Sequence, residues 1–240
     1  MQTIAIAAFA ILAAAPVQAH DLWLEPASAG VQAVYGHAGE GSAPDRYRVF
    51  ELNAVAGGKP VSLLDGLKSG YDTLPPLAVP AAAKEARVVA ARYDGGFWVK
   101  TPTGSRNTNK LNLANAVESR WSLKFAKLVL PGTQALSDPV GHRLEIVPLA
   151  DPYRLKPGEA LRVRVDHAGK PMAGASLTIG DGKTKADQPV KVEADASGIA
   201  VILPQAGMTI LTVSHKAPGS VPDLATEDAL SATLTFATAP

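Results

Sequence analysis

The second half of the chain contains short stretches in which apolar and polar residues alternate. In the clearest one, residues 161–165, three apolar side chains are separated by two arginines. Successive side chains of a strand point to opposite faces, so this pattern predicts a strand with one buried face. Other short apolar stretches, bounded mostly by Gly, Pro or Asp, predict strands at 144–147, 176–179, 190–194, 199–203, 208–214 and 229–237. Such regular spacing is typical of an antiparallel β-sandwich, which we predict for residues 139–240.

A sequence motif within this region supports the same architecture. The sequence GKPMAGASLTI at 169–179, followed by a D-x-x-G-x-A turn at 195–200, resembles the immunoglobulin-like or transthyretin-like modules of secreted proteins. That resemblance implies a scaffold and no particular activity. In the last predicted strand, Leu230, Leu234 and Phe236 are expected to be buried.

The first half, residues 20–138, is predicted to be β-rich. Apolar stretches there predict strands at 31–35, 47–52, 87–93 and 96–101. The Ala- and Pro-rich residues 75–84 predict a loop. Turn-forming residues at 130–139 predict the boundary with the sandwich module.

One short helix is also expected in this half. Residues 109–119 place Leu113, Ala116 and Val117 on one helical face, and the next residues, 121–126, alternate like a strand. The fold class is therefore all-β, with a β-sandwich packed on a β-rich half that contains a single helix.

Charge and composition restrict the chemistry. The formal net charge is +1 without a run of basic residues, so nucleic acid is not expected as a partner. There are no cysteines and three methionines, so any metal must be bound by nitrogen and oxygen. No Ser-His-Asp spacing, dinucleotide fingerprint or HExxH pair is present, and we predict a binding protein rather than an enzyme.

The beginning of the chain has the pattern of a secretion signal. Residues 4–14 are an apolar run that is too short to span a bilayer, and 17–19 form a small-residue cleavage motif. We expect residues 1–19 to be a signal peptide that is removed after Ala19, which predicts a periplasmic protein. The mature chain then begins at His20. Because no Lys or Arg precedes the apolar run, an uncleaved anchor is the alternative.

A histidine at a free N-terminus can chelate a metal through its α-amine and its Nδ1. These groups have ordinary pKa values of about 8 and about 6.5, so a divalent cation displaces their protons near neutral pH. Ni(II) and Cu(II) accept tetragonal arrangements of such nitrogen donors. Cleavage before His20 therefore predicts a transition-metal site. Leu22 and Trp23 are expected to pack on the domain and to hold this terminus in place.

Two other histidines are candidate ligands. His37 is the second candidate because it lies on a Gly-rich turn after a predicted strand. His142 is the third, since it precedes the strand at 144 and could approach from the junction of the two regions. His167 is interpreted as a surface turn residue, and His215 as a residue at the end of a strand.

Carboxylates near these histidines are candidate additional ligands, or partners that orient an imidazole. Asp21, Glu25 and Glu40 are the nearest in the sequence. A solvated strand residue is the preferred interpretation of Glu25. Glu145 is assigned no metal role, because a neighbouring arginine could be its partner.

Four segments together carry a more specific resemblance. They are the mature terminus HDLWLEP, YGHAGE at 35–40, KFAKLVL at 124–130 and GHRLEIVPLADPYRLKPGEALRVRV at 141–165. They resemble the periplasmic nickel/cobalt uptake proteins of domain-of-unknown-function family 4198, which are similar to soluble accessory components of energy-coupling metal transporters. The resemblance implies capture of Ni(II) or Co(II) and delivery of the ion to a membrane transporter component.

Two other functions remain open. The chain could be a structural or adhesion-type β-sandwich in which the histidines have no metal role. It could also hold Cu(II) between His20 and a second histidine as an oxidative enzyme, which would require a nearby tyrosine and a substrate surface. The low aromatic content of 5% argues against a polysaccharide-binding face.

Overall fold

The computed structural model describes residues 20–67, 70–133, 136, 139–156, 158–186, 188–204 and 206–238. The predicted signal peptide lies outside the described residues. In chain order, the strands are β1 Asp21–Ala27, β2 Gly30–Gly36, β3 Val49–Ala56, β4 Lys59–Ser62, β5 Val88–Thr101, β6 Gly104–Arg106, β7 Glu118–Val129, β8 Leu144–Pro148, β9 Leu161–His167, β10 Lys170–Pro171, β11 Ser176–Gly180, β12 Val190–Glu193, β13 Ile199–Ile202, β14 Gly207–Pro218 and β15 Glu227–Thr238.

The helices of the described residues are short 3₁₀ turns. Each contains three residues: Arg46–Arg48, Leu64–Gly66, Ala81–Ala83, Lys110–Asn112 and Pro152–Arg154. Within the same residues, no helix has the length and apolar character required to cross a membrane.

Nine strands form one large sheet. Their order is β12-β11-β14-β15-β7-β5-β3-β4, with β6 paired to β5. Strands β15 and β7 run parallel, with Leu230 opposite Leu123. This pair joins the two regions predicted from the sequence into a single sheet, so the boundary near residue 139 does not separate two sheets.

Two smaller sheets cover opposite faces of the large one. The first contains β8, β9, β10 and β13, and its apolar residues share one core with the β7, β11, β14 and β15 side chains of the large sheet. The second is the β1–β2 hairpin, which shares another core with β3, β5 and β7. Strand β7 contributes to both cores: Phe125 belongs to the first and Ala126 to the second, because successive side chains alternate. The arrangement confirms the predicted β-sandwich.

Local patterns predicted most strands correctly. In β9 the apolar positions are buried and Arg162 is exposed, as the alternation predicts. Leu230, Leu234 and Phe236 are at most 2% exposed, as expected. The strands predicted at 87–93 and 96–101 are one strand, β5, with an irregularity between Asp94 and Gly96.

The helix predicted at 109–119 is wrong. Only the 3₁₀ turn Lys110–Asn112 forms there, and Val117 is 62% exposed. The Val117 amide donates to the Lys100 carbonyl at 2.8 Å, and β7 begins at the next residue. Pairing with β5 takes up residues 117–119, whereas the Lys110 amide donates to the Leu224 carbonyl and the amides of Leu113 and Ala116 donate within local turns, so these contacts replace the helical pattern.

Candidate metal centre

The β1–β2 hairpin brings His20 and His37 together. The strands pair antiparallel with Asp21 opposite Gly36, so the two histidines occupy the next positions at the open end of the hairpin. Their ring centroids are 4.6 Å apart and the ring planes are tilted by 53°. Gly36 has a φ of +148°, and a Cβ there would lie 2.9 Å from the Cα of Gly41. Glycine is therefore needed at this position for the turn that carries His37.

Strand β1 is fixed to the large sheet next to His20. Leu22 and Trp23 are 1% and 5% exposed, which confirms that these residues pack on the domain. The Thr233 hydroxyl donates to the Leu22 carbonyl at 2.7 Å. His20 itself is exposed to solvent. The strand is therefore fixed, while the imidazole just before it is open to solvent.

Two tyrosines lie beside this pair. The Tyr35 ring contacts the His20 ring edge-on, with centroids 5.2 Å apart, and packs against Tyr93 at 4.8 Å. Burial raises the pKa of Tyr93 to about 12 and also raises the pKa of Tyr35. Both phenols therefore keep their protons at neutral pH and can donate hydrogen bonds.

A carboxylate and an ammonium group lie beneath the histidines. Burial raises the pKa of Asp21, whereas Lys124, the Ser231 hydroxyl and the charges of His37 and His20 act in the opposite direction. Lys124 is 4% exposed and donates to the Ser231 hydroxyl at 3.2 Å. Burial lowers the pKa of Lys124, while the nearby Asp21 opposes this shift. Among the three candidate carboxylates, Asp21 is the one that lies close to the histidine pair.

The other two carboxylates have different partners. Glu25 accepts hydrogen bonds from the side chains of Trp23 and Gln32, so it is not simply solvated. Glu40 is exposed, and Lys185 lies 3.7 Å from it. Neither carboxylate lies with the histidine pair as Asp21 does.

His142 is not brought to this pair. It is 7% exposed and packs against Phe125, which faces the other core of the large sheet, at a centroid distance of 5.1 Å. Burial lowers its pKa to about 3, and the nearby Lys127 and Arg92 act in the same direction. Lys124 and Phe125 are consecutive in β7 and point to opposite faces, so the sheet separates His142 from Asp21 and the histidine pair.

The His142 region contains a polar network that sequence patterns did not reveal. Glu145, 2% exposed, accepts from the Lys127 ammonium at 2.6 Å. It also accepts from the backbone amides of Val140, Gly141 and His142, at 2.8, 3.1 and 3.1 Å. The spacing of Gly141 and His142 on a loop and Glu145 in the following strand β8 was the available local signal, but Lys127 comes from a different strand, β7.

The two remaining histidines form a second pair. The rings of His167 and His215 have centroids 4.5 Å apart and planes tilted by 58°. Burial lowers the pKa of His167, and His215 and Arg143 act in the same direction. Sequence patterns suggested no relation between these residues.

The described part of the chain has no group of three or more His, Cys, Asp or Glu side chains placed to hold one metal ion. A pair of histidines needs further donors to complete a coordination shell. At His20 the α-amine would be such a donor if the chain were cleaved after Ala19, whereas internal histidines have no such group.

Comparison with known proteins gives the family. The model of a domain of unknown function, DUF4198, matches residues 17–217. The chain belongs to this family. The match covers strands of both smaller sheets and most of the large one, and the family description names no function. An uncharacterized protein of Haemophilus influenzae is 26% identical over 211 residues, which cover 86% of this chain and 85% of that protein. No solved structure matches the chain.

Proposed function

We propose that this DUF4198 protein is a periplasmic metal-binding protein that captures Ni(II) or Co(II) at His20 and His37. The observation that carries the proposal is the 4.6 Å distance between the two ring centroids. Two imidazoles that bind one ion at about 2.1 Å have ring centres roughly 4.5–6.5 Å apart, depending on the angle between them. The observed separation is compatible with a shared ion whose two imidazole ligands are adjacent.

The mature terminus would supply a third donor. Cleavage after Ala19 places an α-amine on His20, and this amine and the two imidazoles give three nitrogens. Such a set favours borderline transition ions over Ca²⁺ and Mg²⁺, which prefer oxygen. Cu(II) binds nitrogen sites more tightly than Ni(II) or Co(II), so it would compete at the same site.

The surroundings of the pair suit an ion that is bound and then released. His20 is exposed and His37 is half-buried, so coordination positions remain open to water or to a partner. Delivery to an energy-coupling membrane transporter is the partner step that we propose from the family resemblance.

The first experiment compares two forms of the protein by calorimetry with Ni(II) and Co(II). One form begins at His20, and the other carries Met-Gly before it, which converts the α-amine into an amide. We expect extension to weaken binding by at least about tenfold, because loss of a direct ligand costs no less than loss of an outer partner. Equal affinities would rule out the terminal chelate.

The same titration tests the second ligand. His37→Ala should weaken binding by the form that begins at His20, again by at least about tenfold. Ser42→Ala is the matched control, because Ser42 is exposed on the same turn and carries no charge. An effect of similar size in both variants would indicate a disturbed turn rather than a lost ligand.

A copper-dependent oxidative role is the second candidate, and Tyr35 favours it. Its ring contacts that of His20 edge-on, with centroids 5.2 Å apart, and an oxidative centre of this kind would need a nearby tyrosine. The test is oxygen consumption by the Cu(II)-loaded mature protein with ascorbate, compared with its Tyr35→Phe variant. Rapid consumption that falls in the variant supports the enzyme, whereas a rate equal to that of free Cu(II) argues against it.

A further inference from the structure

His167 and His215 come from two different sheets and meet at one end of the sandwich. In β9, Leu161, Val163 and Val165 point into the core shared with the large sheet, and His167 is the next residue with the same orientation. His215 pairs with the buried Leu230 and faces the same core from the large sheet. The histidines lie where this core ends, and both are half-buried rather than enclosed.

The backbone around His167 is held in one conformation. A tight turn follows it, with φ values of +50° at Ala168 and +73° at Gly169. The Ala168 amide donates to the Arg143 carbonyl at 2.8 Å, and Lys170 pairs back with His167. A positive φ at alanine is uncommon, so the hydrogen bonds on both sides must support this turn.

A partly buried ion pair links the residue just before β8 to the large sheet near the histidines. The Arg143 guanidinium donates at 2.8 Å to the carboxylate of Asp228, which lies in β15 of the large sheet. Asp228 is fully buried, and Ser220 also donates to it. The pair is one contact between the two sheets at this end, and the Asp228 carboxylate offsets the arginine charge that an incoming cation would meet.

We propose that His167 and His215 form a second binding site, which holds one divalent transition-metal ion between the two sheets. The ring centroids are 4.5 Å apart, within the separation of two imidazoles that share an ion. The two imidazoles supply two coordination positions and water supplies the others. Borderline ions such as Cu(II) and Zn(II) prefer these donors.

This site is independent of the proposed function, because both donors are internal side chains. It does not require cleavage after Ala19, and it forms whether or not the α-amine is free. An ion held here would join β9 to β14 and would act as a clasp in a chain that has no cysteines for a disulfide.

The experiment uses the full chain from His20 with a Met-Gly extension and the substitutions His20→Ala and His37→Ala, so that the first site cannot form. Calorimetry with Cu(II) should detect one equivalent, and electron paramagnetic resonance should show coupling to two imidazole nitrogens. His167→Ala and His215→Ala should each weaken binding by at least about tenfold. Ser214→Ala, an exposed neutral neighbour in β14, should leave it unchanged.

A second measurement keeps the test independent of how the variants fold. Zn(II) should raise the thermal unfolding midpoint of the chain with both histidines present, since an ion that binds only the folded state stabilises it. The proposal would be overturned if calorimetry detected no Cu(II) binding or if the paramagnetic resonance spectrum showed coupling to fewer than two imidazole nitrogens. Unchanged Cu(II) affinity in both alanine variants would also overturn it. None of these outcomes bears on the His20 site, which is absent from the protein used.

Discussion

The two faces of the large sheet each bury a lysine from β7, but the lysines have different partners. Lys127 faces the sandwich core, where its ammonium lies 2.6 Å from Glu145. Lys124 faces the hairpin, where it donates to the neutral Ser231 hydroxyl at 3.2 Å and lies near Asp21. Both side chains are 4% exposed.

This difference distinguishes an ion pair that belongs to the fold from charged groups that lie beside the proposed metal site. A buried charge is costly unless it is paired and hydrogen-bonded, and the Lys127–Glu145 pair meets both conditions. Lys124 and Asp21 are compensated less completely, and both lie close to His20 and His37. The fully paired face therefore stabilises the fold, and the other face leaves charged groups close to the proposed metal.

The largest effect is expected from breaking the pair on the sandwich face. Glu145→Ala leaves the Lys127 charge and three backbone amides without their acceptor, so the unfolding free energy should fall by about 3–5 kcal/mol. Urea denaturation measures this change. Glu118→Gln is the control, because the exposed pair of Glu118 with Lys100 should contribute no more than about 1 kcal/mol. Similar losses in both variants would contradict the comparison.

The next largest effect is the pH dependence of stability that arises from the buried His142. Its pKa is 6.5 in the unfolded chain and about 3 in the folded protein, so below pH 6.5 the unfolded state binds the extra proton. As the pH is lowered from 6.5 to about 3, the free energy of unfolding should therefore decrease by up to about 1.4 kcal/mol per pH unit. His142→Phe removes this contribution.

The measurement is the difference in unfolding free energy between His142→Phe and the natural chain at pH 7.5 and pH 5. The variant should gain about 2 kcal/mol in relative stability at the lower pH. Lys127, Arg92 and Glu145 lie close to His142 and are present in both proteins, so the difference isolates the imidazole. Parallel pH curves would show that His142 is not buried in its neutral form.

A smaller loss of stability is expected from removing the hydrogen bond that joins the β1–β2 hairpin to the large sheet. Thr233→Val removes the donor to the Leu22 carbonyl and should cost about 1 kcal/mol. It should also weaken Ni(II) binding by the mature protein, because strand β1 positions His20. Thr235→Val is a closely matched control, since among the described residues the buried Thr235 hydroxyl has no hydrogen-bond partner. Equal effects would show that the bond does not position the terminus.

The smallest effect should come from Lys124. Lys124→Met removes a buried ammonium that donates to a neutral hydroxyl, and Asp21, whose pKa burial already raises, can then take up a proton, so stability should change by less than about 1 kcal/mol. Lys127→Met should cost more, because it leaves Glu145 as an unpaired buried charge. Urea denaturation of both variants compares their losses in unfolding free energy. A larger loss for Lys124→Met than for Lys127→Met would contradict the proposed division of roles.

Local sequence patterns were sufficient for most strands. The alternation at 161–165 follows from a period of two, which needs no knowledge of the fold. Leu230, Leu234 and Phe236 are buried as expected, but residues 230–236 of β15 are buried at every position because both faces of this strand are covered. His37 was predicted as the partner of His20 from its Gly-rich turn and the family resemblance, and the hairpin places the two together. The helix predicted at 109–119 was wrong because its last residues pair with β5 and the Lys110 amide bonds to the distant Leu224 carbonyl.

The sequence by itself determined the period of the strands, the absence of thiol ligands and the five histidines available as donors. Only the tertiary structure decided which histidines meet. His142 lies against Phe125 because β7 alternates between two cores, and His167 meets His215 because two sheets end at the same level. These placements depend on strand register and sheet packing, which residues far apart in the chain fix together and no local pattern records.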